Sequence, residues 1–236
     1  MAPVSRFLAQ AAFWAAPRFC LLCGLPVDPA SGPDIPLCPT CATALRPIGG
    51  ERCLRCGRPL ISEIGTCFSC RGKAGDCDAI FPIFMYRVGI ASLMREYKEG
   101  KRASLASFWA GWMEIQLRSR WPDRTVVPVP PRPEKLKERL WDQVEAIATI
   151  LEQRGIPVAR PLERTSSNQQ KRLSREARSA NALASYSLSP RARLPLPGRI
   201  VLIDDVYTTG ATVEACSKAL RGGGARSIVA LVLAAD

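Results

Sequence analysis

The chain of 236 residues contains no histidine. That excludes imidazole acid–base catalysis, Ser-His-Asp and Cys-His nucleophile pairs, and any zinc site with a histidine ligand. Acidic residues are also scarce: 21 Asp and Glu stand against 33 Lys and Arg, for a net charge of +12. Such a balance favours anionic partners, whether phosphates, nucleic acid or a membrane surface. A basic solubility surface is the plain alternative. Long apolar runs are missing too. None approaches the roughly 20 residues of a membrane-spanning helix, so no membrane insertion is expected. Phe7 to Ala16 is apolar and follows Arg6. It is short for a secretion signal and has a single basic residue before it. Residues 1–19 are therefore expected to form a short helix leading into a cytoplasmic protein.

What remains is ordinary for a globular chain: 47% hydrophobic and 23% charged residues, enough for a sizeable core and one or two domains. The cysteines are not evenly spread. Nine of the ten lie between Cys20 and Cys77, and Cys216 stands alone. Eight of them form four C-x-x-C pairs: Cys20/Cys23, Cys38/Cys41, Cys53/Cys56 and Cys67/Cys70. Eight thiolates suffice for two tetrahedral sites of four cysteines each. Glycine follows Cys23 and Cys56, where a positive φ lets backbone N–H groups turn toward sulfur. Each half repeats the same order, a C-x-x-C-G knuckle, a loop and a second pair, so residues 20–77 read as a double zinc ribbon with two structural Zn2+ ions. A disulfide framework does not suit a cytoplasmic chain, and a redox dithiol needs no four copies. An iron–sulfur cluster is the remaining alternative, since four-cysteine sets serve those as well. Pairing within each half is the simpler connectivity, and interleaving is the other. Cys216 reads as a small core residue.

From residue 78 the pattern alternates. Strands are expected at 79–86, 125–129, 158–162, 200–203 and 227–233. Helices are expected at 90–97, 103–117, 136–153 and 213–220, with loops over 163–181, a helical part of it being the alternative, and 188–199. Leu140, Val144, Ile147 and Leu151 share one face of the third helix. Strands alternating with helices imply an α/β domain on a parallel sheet, with the ligand at the carboxyl ends of the strands.

The segment Ile200 to Thr212 reads I-V-L-I-D-D-V-Y-T-T-G-A-T. A buried strand runs into two adjacent carboxylates and then a Thr/Gly turn at a helix start. Such a turn offers N–H groups and hydroxyls to an anion. The carboxylates would repel that anion and suit sugar hydroxyls instead. The plain alternative is a strand–turn–helix with an acidic strand end. The segment resembles the PRPP (phosphoribosyl pyrophosphate) motif of type I phosphoribosyltransferases, with Tyr207 as the bulkier intervening residue. By that resemblance Asp204 and Asp205 would bind the ribose hydroxyls. Thr208, Thr209, Gly210, Ala211 and Thr212 would wrap the 5-phosphate.

Further basic and amide residues stand where a cleft would use them. Lys98 closes a helix, either as a cleft residue or as a solvated last turn. Arg132 follows the strand end Pro128-Val129-Pro130-Pro131, while Arg139 and Gln143 lie on the next helix. Gln170, Arg175 and Arg178, in a segment that runs from Arg164 to Asn181, are candidates to close over a pyrophosphate or a nucleic-acid backbone. Double ribbon, Lys-bearing helix, P-V-P strand end, Q-x-x-L…R-x-x-N segment and terminal PRPP motif together resemble the ComF family of competence-associated proteins over nearly the whole chain. The family's R-G-F-N-Q segment is here Arg139-Leu140-Trp141-Asp142-Gln143, with Leu for Gly and Asp for Asn. The resemblance implies a phosphoribosyltransferase-like domain over residues 78–236 that takes PRPP or a related ribose phosphate with Mg2+. It also implies DNA uptake, with single-stranded DNA and a helicase-type protein as partners. Whether the site catalyses pentosyl transfer or acts as a sensor stays open, because no segment reads a second substrate.

Overall fold

The computed structural model describes residues 18–27, 37–99, 102, 104–131, 141–164 and 185–236. The helix expected within residues 1–19 lies almost wholly outside them. Four strands, β1 (Ala79–Met85), β2 (Thr125–Pro128), β5 (Arg199–Tyr207) and β6 (Ser227–Ala235), form the main sheet. It is parallel, with strand order β1-β6-β5-β2. A separate antiparallel pair joins β3 (Leu162–Arg164) to β4 (Tyr186–Leu188). The helices are α1 (Pro39–Ala44), α2 (Val88–Lys98), α3 (Ser104–Arg120), α4 (Gln143–Gln153) and α5 (Ala211–Gly222).

The strand alternation builds two cores. Val201 and Ile203 of β5, with Val229, Leu231 and Leu233 of β6, face α2, α3 and α4. Ile200 and Leu202, with Ile228, Ala230 and Val232, face α5 and the β3–β4 pair. A period of two sends successive side chains to opposite faces. Both faces are covered, which is why these strands read as unbroken apolar runs.

Four expectations are corrected. The helix expected at 136–153 begins at Gln143 among the described residues, because Asp142 caps it. The Asp142 side chain accepts from the N–H groups of Val144 and Glu145, both at 2.9 Å. The strand expected at 158–162 reduces to a single bridge between Val158 and Val126, and the strand proper is Leu162–Arg164. Leu188, expected to open a loop, ends β4. The motif strand extends past Ile203 to Tyr207, since β6 pairs with it up to Ala235.

The second half of the cysteine module covers the outer edge of β1. The Ile48 N–H donates to Ile83 O at 2.8 Å, the Ile80 N–H to Arg55 O at 2.7 Å, and Arg52 Nη1 to Pro82 O at 2.8 Å. An open sheet edge invites pairing with other chains, and covering it removes that hazard. Gly57 makes the close approach possible. Its φ is +67°, and a Cβ there would lie 2.3 Å from Ile80 O and 2.4 Å from Pro82 Cδ. Gly24, at the matching place of the first half, has φ +73° and open space around it.

That pair makes a test. Gly24→Ala should cost only the left-handed backbone penalty, about 1–2 kcal/mol. Gly57→Ala should cost at least a further 1–3 kcal/mol or so, roughly the penalty of a steric collision in a packed site. Urea denaturation of the two variants should separate them by that margin, and equal losses would contradict the packing at β1.

Candidate functional site

Asp204 and Asp205 sit near the carboxyl end of β5, pointing to opposite sides of the strand. Asp205 is buried and Asp204 half-buried. Thr208 and Thr209 are exposed, Gly210 is buried, and Ala211 opens α5. Gly210 is the N-cap residue of α5 with φ +82°, and no side chain caps the helix there. A Cβ at this position would meet Tyr207 Oη at 2.8 Å, so both backbone and packing demand glycine. The helix thus starts without a cap from its N-cap residue, its first amide reaching only Thr209 Oγ1 at 3.4 Å, at the end of a strand that carries two carboxylates.

Asp205 gathers the surrounding elements. Lys98 Nζ, at the end of α2, lies 2.8 Å from Asp205 Oδ2. Gln143 Nε2, at the start of α4, donates to the same oxygen at 2.8 Å. Tyr97 Oη donates to the Gln143 backbone oxygen at 2.6 Å, pinning the last turn of α2 to the first turn of α4. Lys98 is therefore a cleft residue and not merely a solvated helix end.

Asp204 receives the Asp205 N–H on Oδ1 at 2.8 Å. Burial first, and then the Asp205 carboxylate, push its carboxyl up from 3.8 to about 8, although the Asp205 N–H and Lys98 oppose the rise. Two adjacent carboxylates at a buried strand end do not share one fate. One is charge-paired, and the other holds its proton near neutral pH.

The cleft of about 220 Å3 is lined by Lys98, Val129, Pro130, Pro131, Asp142, Gln143, Arg164, Tyr186, Asp204, Asp205 and Thr212, among others. The β3–β4 pair forms one wall, where Arg164 Nη1 donates to Tyr186 Oη at 2.8 Å. The sequence reading missed Tyr186 altogether, since a three-residue strand after a polar stretch has no period to read. It also missed Asp142 as a cap, although Asp ahead of an apolar-periodic run is a helix-start signal. Asp142 occupies the Asn position of the R-G-F-N-Q segment, and both residue types cap helices well. Arg132, Arg139, Gln170, Arg175 and Arg178 lie outside the described residues.

The cysteines form two clusters, Cys20/Cys23/Cys38/Cys41 and Cys53/Cys56/Cys67/Cys70, each with its sulfurs within 4.8 Å of one another. The sets lie within the halves and do not interleave. The Cys23–Cys38 and Cys56–Cys67 sulfur distances are both 3.7 Å. A tetrahedron with Zn–S bonds of about 2.3 Å has edges of about 3.8 Å, so the sets fit the ion. Burial raises the Cys53 thiol, but the amides of Cys56, Cys67 and Arg55 outweigh it and hold it at about 6. Cys20 is held at about 6 in the same way: burial raises it, and the amides of Cys38, Leu22 and Cys23 prevail. Amides directed at sulfur favour the thiolate at these two positions, whereas the Cys23 thiol pushes Cys41 up to about 12 and burial pushes Cys56 up, so a bound metal has to displace protons from part of each set. Cys216 is a fully buried core residue. Cys77 is buried, with its thiol directed at Ala79 O at 3.3 Å.

The comparisons with known proteins fall on both parts of this architecture. A family model described as a double zinc ribbon domain matches residues 11–71. Competence protein ComFC of Streptococcus pneumoniae (strain ATCC BAA-255 / R6) is 26% identical over 221 residues, covering 89% of this chain and 96% of that protein. Competence protein ComFC of Bacillus subtilis (strain 168) is 26% identical over 196 residues, covering 80% and 79%. Among solved structures, the allosteric regulatory enzyme of purine biosynthesis overlaps 54% of this chain at 19% identity and a TM-score of 0.36, and 25% of its own length is covered. Glutamine PRPP amidotransferase from B. subtilis, complexed with ADP and GMP, overlaps 54% at 17% identity and a TM-score of 0.38, with 26% of its length covered. The chain spans about a quarter of the length of those two structures.

Two outcomes follow. Elemental analysis should find two zinc ions per chain, and one or none would contradict the paired four-cysteine sets. For Asp204, the folded chain keeps its proton up to about 8, whereas the unfolded chain loses it near 3.8. The stability this contributes is complete below 3.8 and is lost as pH rises toward about 8. Asp204→Asn keeps a neutral side chain throughout. Its stability relative to wild type should therefore rise by up to about 2–3 kcal/mol between roughly pH 6 and pH 9 in urea denaturation. A pH-independent difference would contradict the raised carboxyl.

Proposed function

This chain belongs to the ComF family, and we propose that its cleft binds PRPP, or a closely related ribose phosphate, with Mg2+. One arrangement carries the reading: a half-buried and a buried carboxylate at the end of β5, followed by a Thr/Gly turn into the glycine-started helix α5. The 5-phosphate would take the amides and hydroxyls of Thr208 to Thr212, where helix N-terminal N–H groups favour an anion.

Asp204 and Asp205 would face the ribose hydroxyls. The protonated Asp204 carboxyl donates a hydrogen bond, while Asp205 accepts, so a vicinal diol meets both kinds of partner. Lys98, which pairs with Asp205 in the cleft, would supply a positive charge to a phosphorylated ligand. Asp142 and Asp205 line the same cleft, and their carboxylates would suit a hydrated Mg2+ carried in with its ligand. The ion would neutralise pyrophosphate charge. The chain's own residues bind and orient: Gln143 and Lys98 fix the Asp205 carboxylate, and Tyr97 holds Gln143 in place.

Competence, the role named for the relatives, is the setting we propose for this site. Binding is the core of the proposal, and transfer to a second substrate is not a part of it.

Calorimetric titration with PRPP and Mg2+ tests the site. Wild type should bind. Asp204→Asn/Asp205→Asn should lose at least tenfold in affinity, about 1.4 kcal/mol. Equal affinity in both proteins would remove the assignment.

A further inference from the structure

We propose that the second zinc ribbon is a working part of the phosphate loop, with Arg55, Arg58 and Tyr207 as positioning residues for the bound anion. The inference rests on the PRPP reading above and extends the site from the α/β domain into the ribbon.

The loop leans on an aromatic ring. Tyr207 ends β5 immediately before Thr208, and its Oη and Cε2 fill the space beside Gly210, 2.8 and 2.9 Å from where a Cβ would stand. Arg58 covers that ring from the ribbon, with its guanidinium carbon 5.9 Å from the ring centroid. The Arg58 Nε is buried and has no hydrogen-bond partner among the described residues. The ring face lies within cation–π reach of this guanidinium. Arg58 follows the metal ligand Cys56 by two residues, across Gly57, whose fit against Ile80 and Pro82 seats the knuckle on β1.

The helix that follows the loop is held from the same knuckle. Glu214, in the first turn of α5, accepts the Asp76 N–H at 2.7 Å and pairs with Arg55 Nη2 at 3.7 Å. A free carboxylate in that turn would oppose a phosphate at the helix start. Arg55 and the linker amide draw its charge toward the ribbon. Arg55 lies between the ligands Cys53 and Cys56. One C-x-x-C knuckle thus supports both walls of the loop, the ring under Gly210 and the first turn of α5. The first ribbon has a different neighbourhood, since its Leu22 and Leu45 pack beside Gly89 at the start of α2. Metal at the second site, and not at the first, should therefore be coupled to anion binding.

Such coupling is reciprocal, so it can be read from either end. PRPP with Mg2+ is titrated calorimetrically into wild type, Arg58→Ala and Tyr207→Leu. Zinc transfer to a chromophoric chelator is then followed with and without saturating PRPP, using Cys41→Ser to identify the phase that belongs to the second site. The substitutions should weaken PRPP roughly five- to tenfold. PRPP should slow zinc loss from the second site in wild type, leave the first-site phase unchanged, and lose that effect in Arg58→Ala. A merely structural role for Arg58 would not produce a ligand-dependent rate at one site alone. Should a variant fail to fold, the wild-type release phases decide the matter. Wild-type binding with unaltered variants, or PRPP slowing both phases alike or neither, overturns this inference alone. Absence of PRPP binding by wild type overturns the ligand reading and this inference with it.

Discussion

A carboxylate buried at a strand end has to be paired, and in this chain Asp205 sets the position of nearly everything around the cleft. Leaving such a charge without partners costs several kcal/mol. Lys98 and Gln143 both reach Oδ2 at 2.8 Å, so the end of α2 and the start of α4 converge on one atom of β5. The Tyr97 hydroxyl ties those two helix ends together from behind. Pairing of Asp205 leaves its neighbour in a different state. Asp204 is half-buried with the Asp205 charge beside it, and its carboxyl rises accordingly. The site therefore offers one accepting and one donating carboxyl side by side, a chemistry that neither residue type declares by itself.

The ribbons depend on the same close contacts. A four-stranded parallel sheet has two edges, and β1 forms one of them. The second ribbon occupies that edge through Ile48, Arg52 and Arg55, and it fits only because Gly57 has no Cβ. Metal binding of this type contributes on the order of 10 kcal/mol to folding. The edge cover is thus held by coordination and not by a large apolar core of its own. From this seat the knuckle also touches the loop and helix on the cleft side.

Legibility followed the length of the signal. The eight metal-site cysteines could be paired from spacing alone, because two residues between sulfurs place both on one ion. The β5 and β6 strands were readable from unbroken β-branched runs, and α5 from the glycine ahead of it. The strand at Leu162–Arg164 and its partner at Tyr186–Leu188 were not, since three residues carry no period and their pairing spans a polar stretch. The start of α4 was misplaced because apolar spacing continued upstream, whereas the Asp142 cap decided the boundary. Lys98 could be narrowed to a cleft residue or a solvated turn, and only the fold brings it to Asp205, far along the sequence.

The sequence by itself determined four C-x-x-C pairs, enough for two four-cysteine sites, a parallel α/β domain, and a strand–loop–helix with two carboxylates at the strand end. Each of these depends on residues close together along the chain, whose spacing is enough to define the local geometry. Tertiary structure decided which carboxylate is paired and which keeps its proton. It also decided that each four-cysteine set lies within one half, that Gln143 belongs to the site, that Tyr186 and Arg164 form a wall of the cleft, and that the second ribbon rests against Tyr207 and the first turn of α5. Those outcomes hang on distances between segments far apart in sequence, and burial and Coulomb interaction act on distance through space.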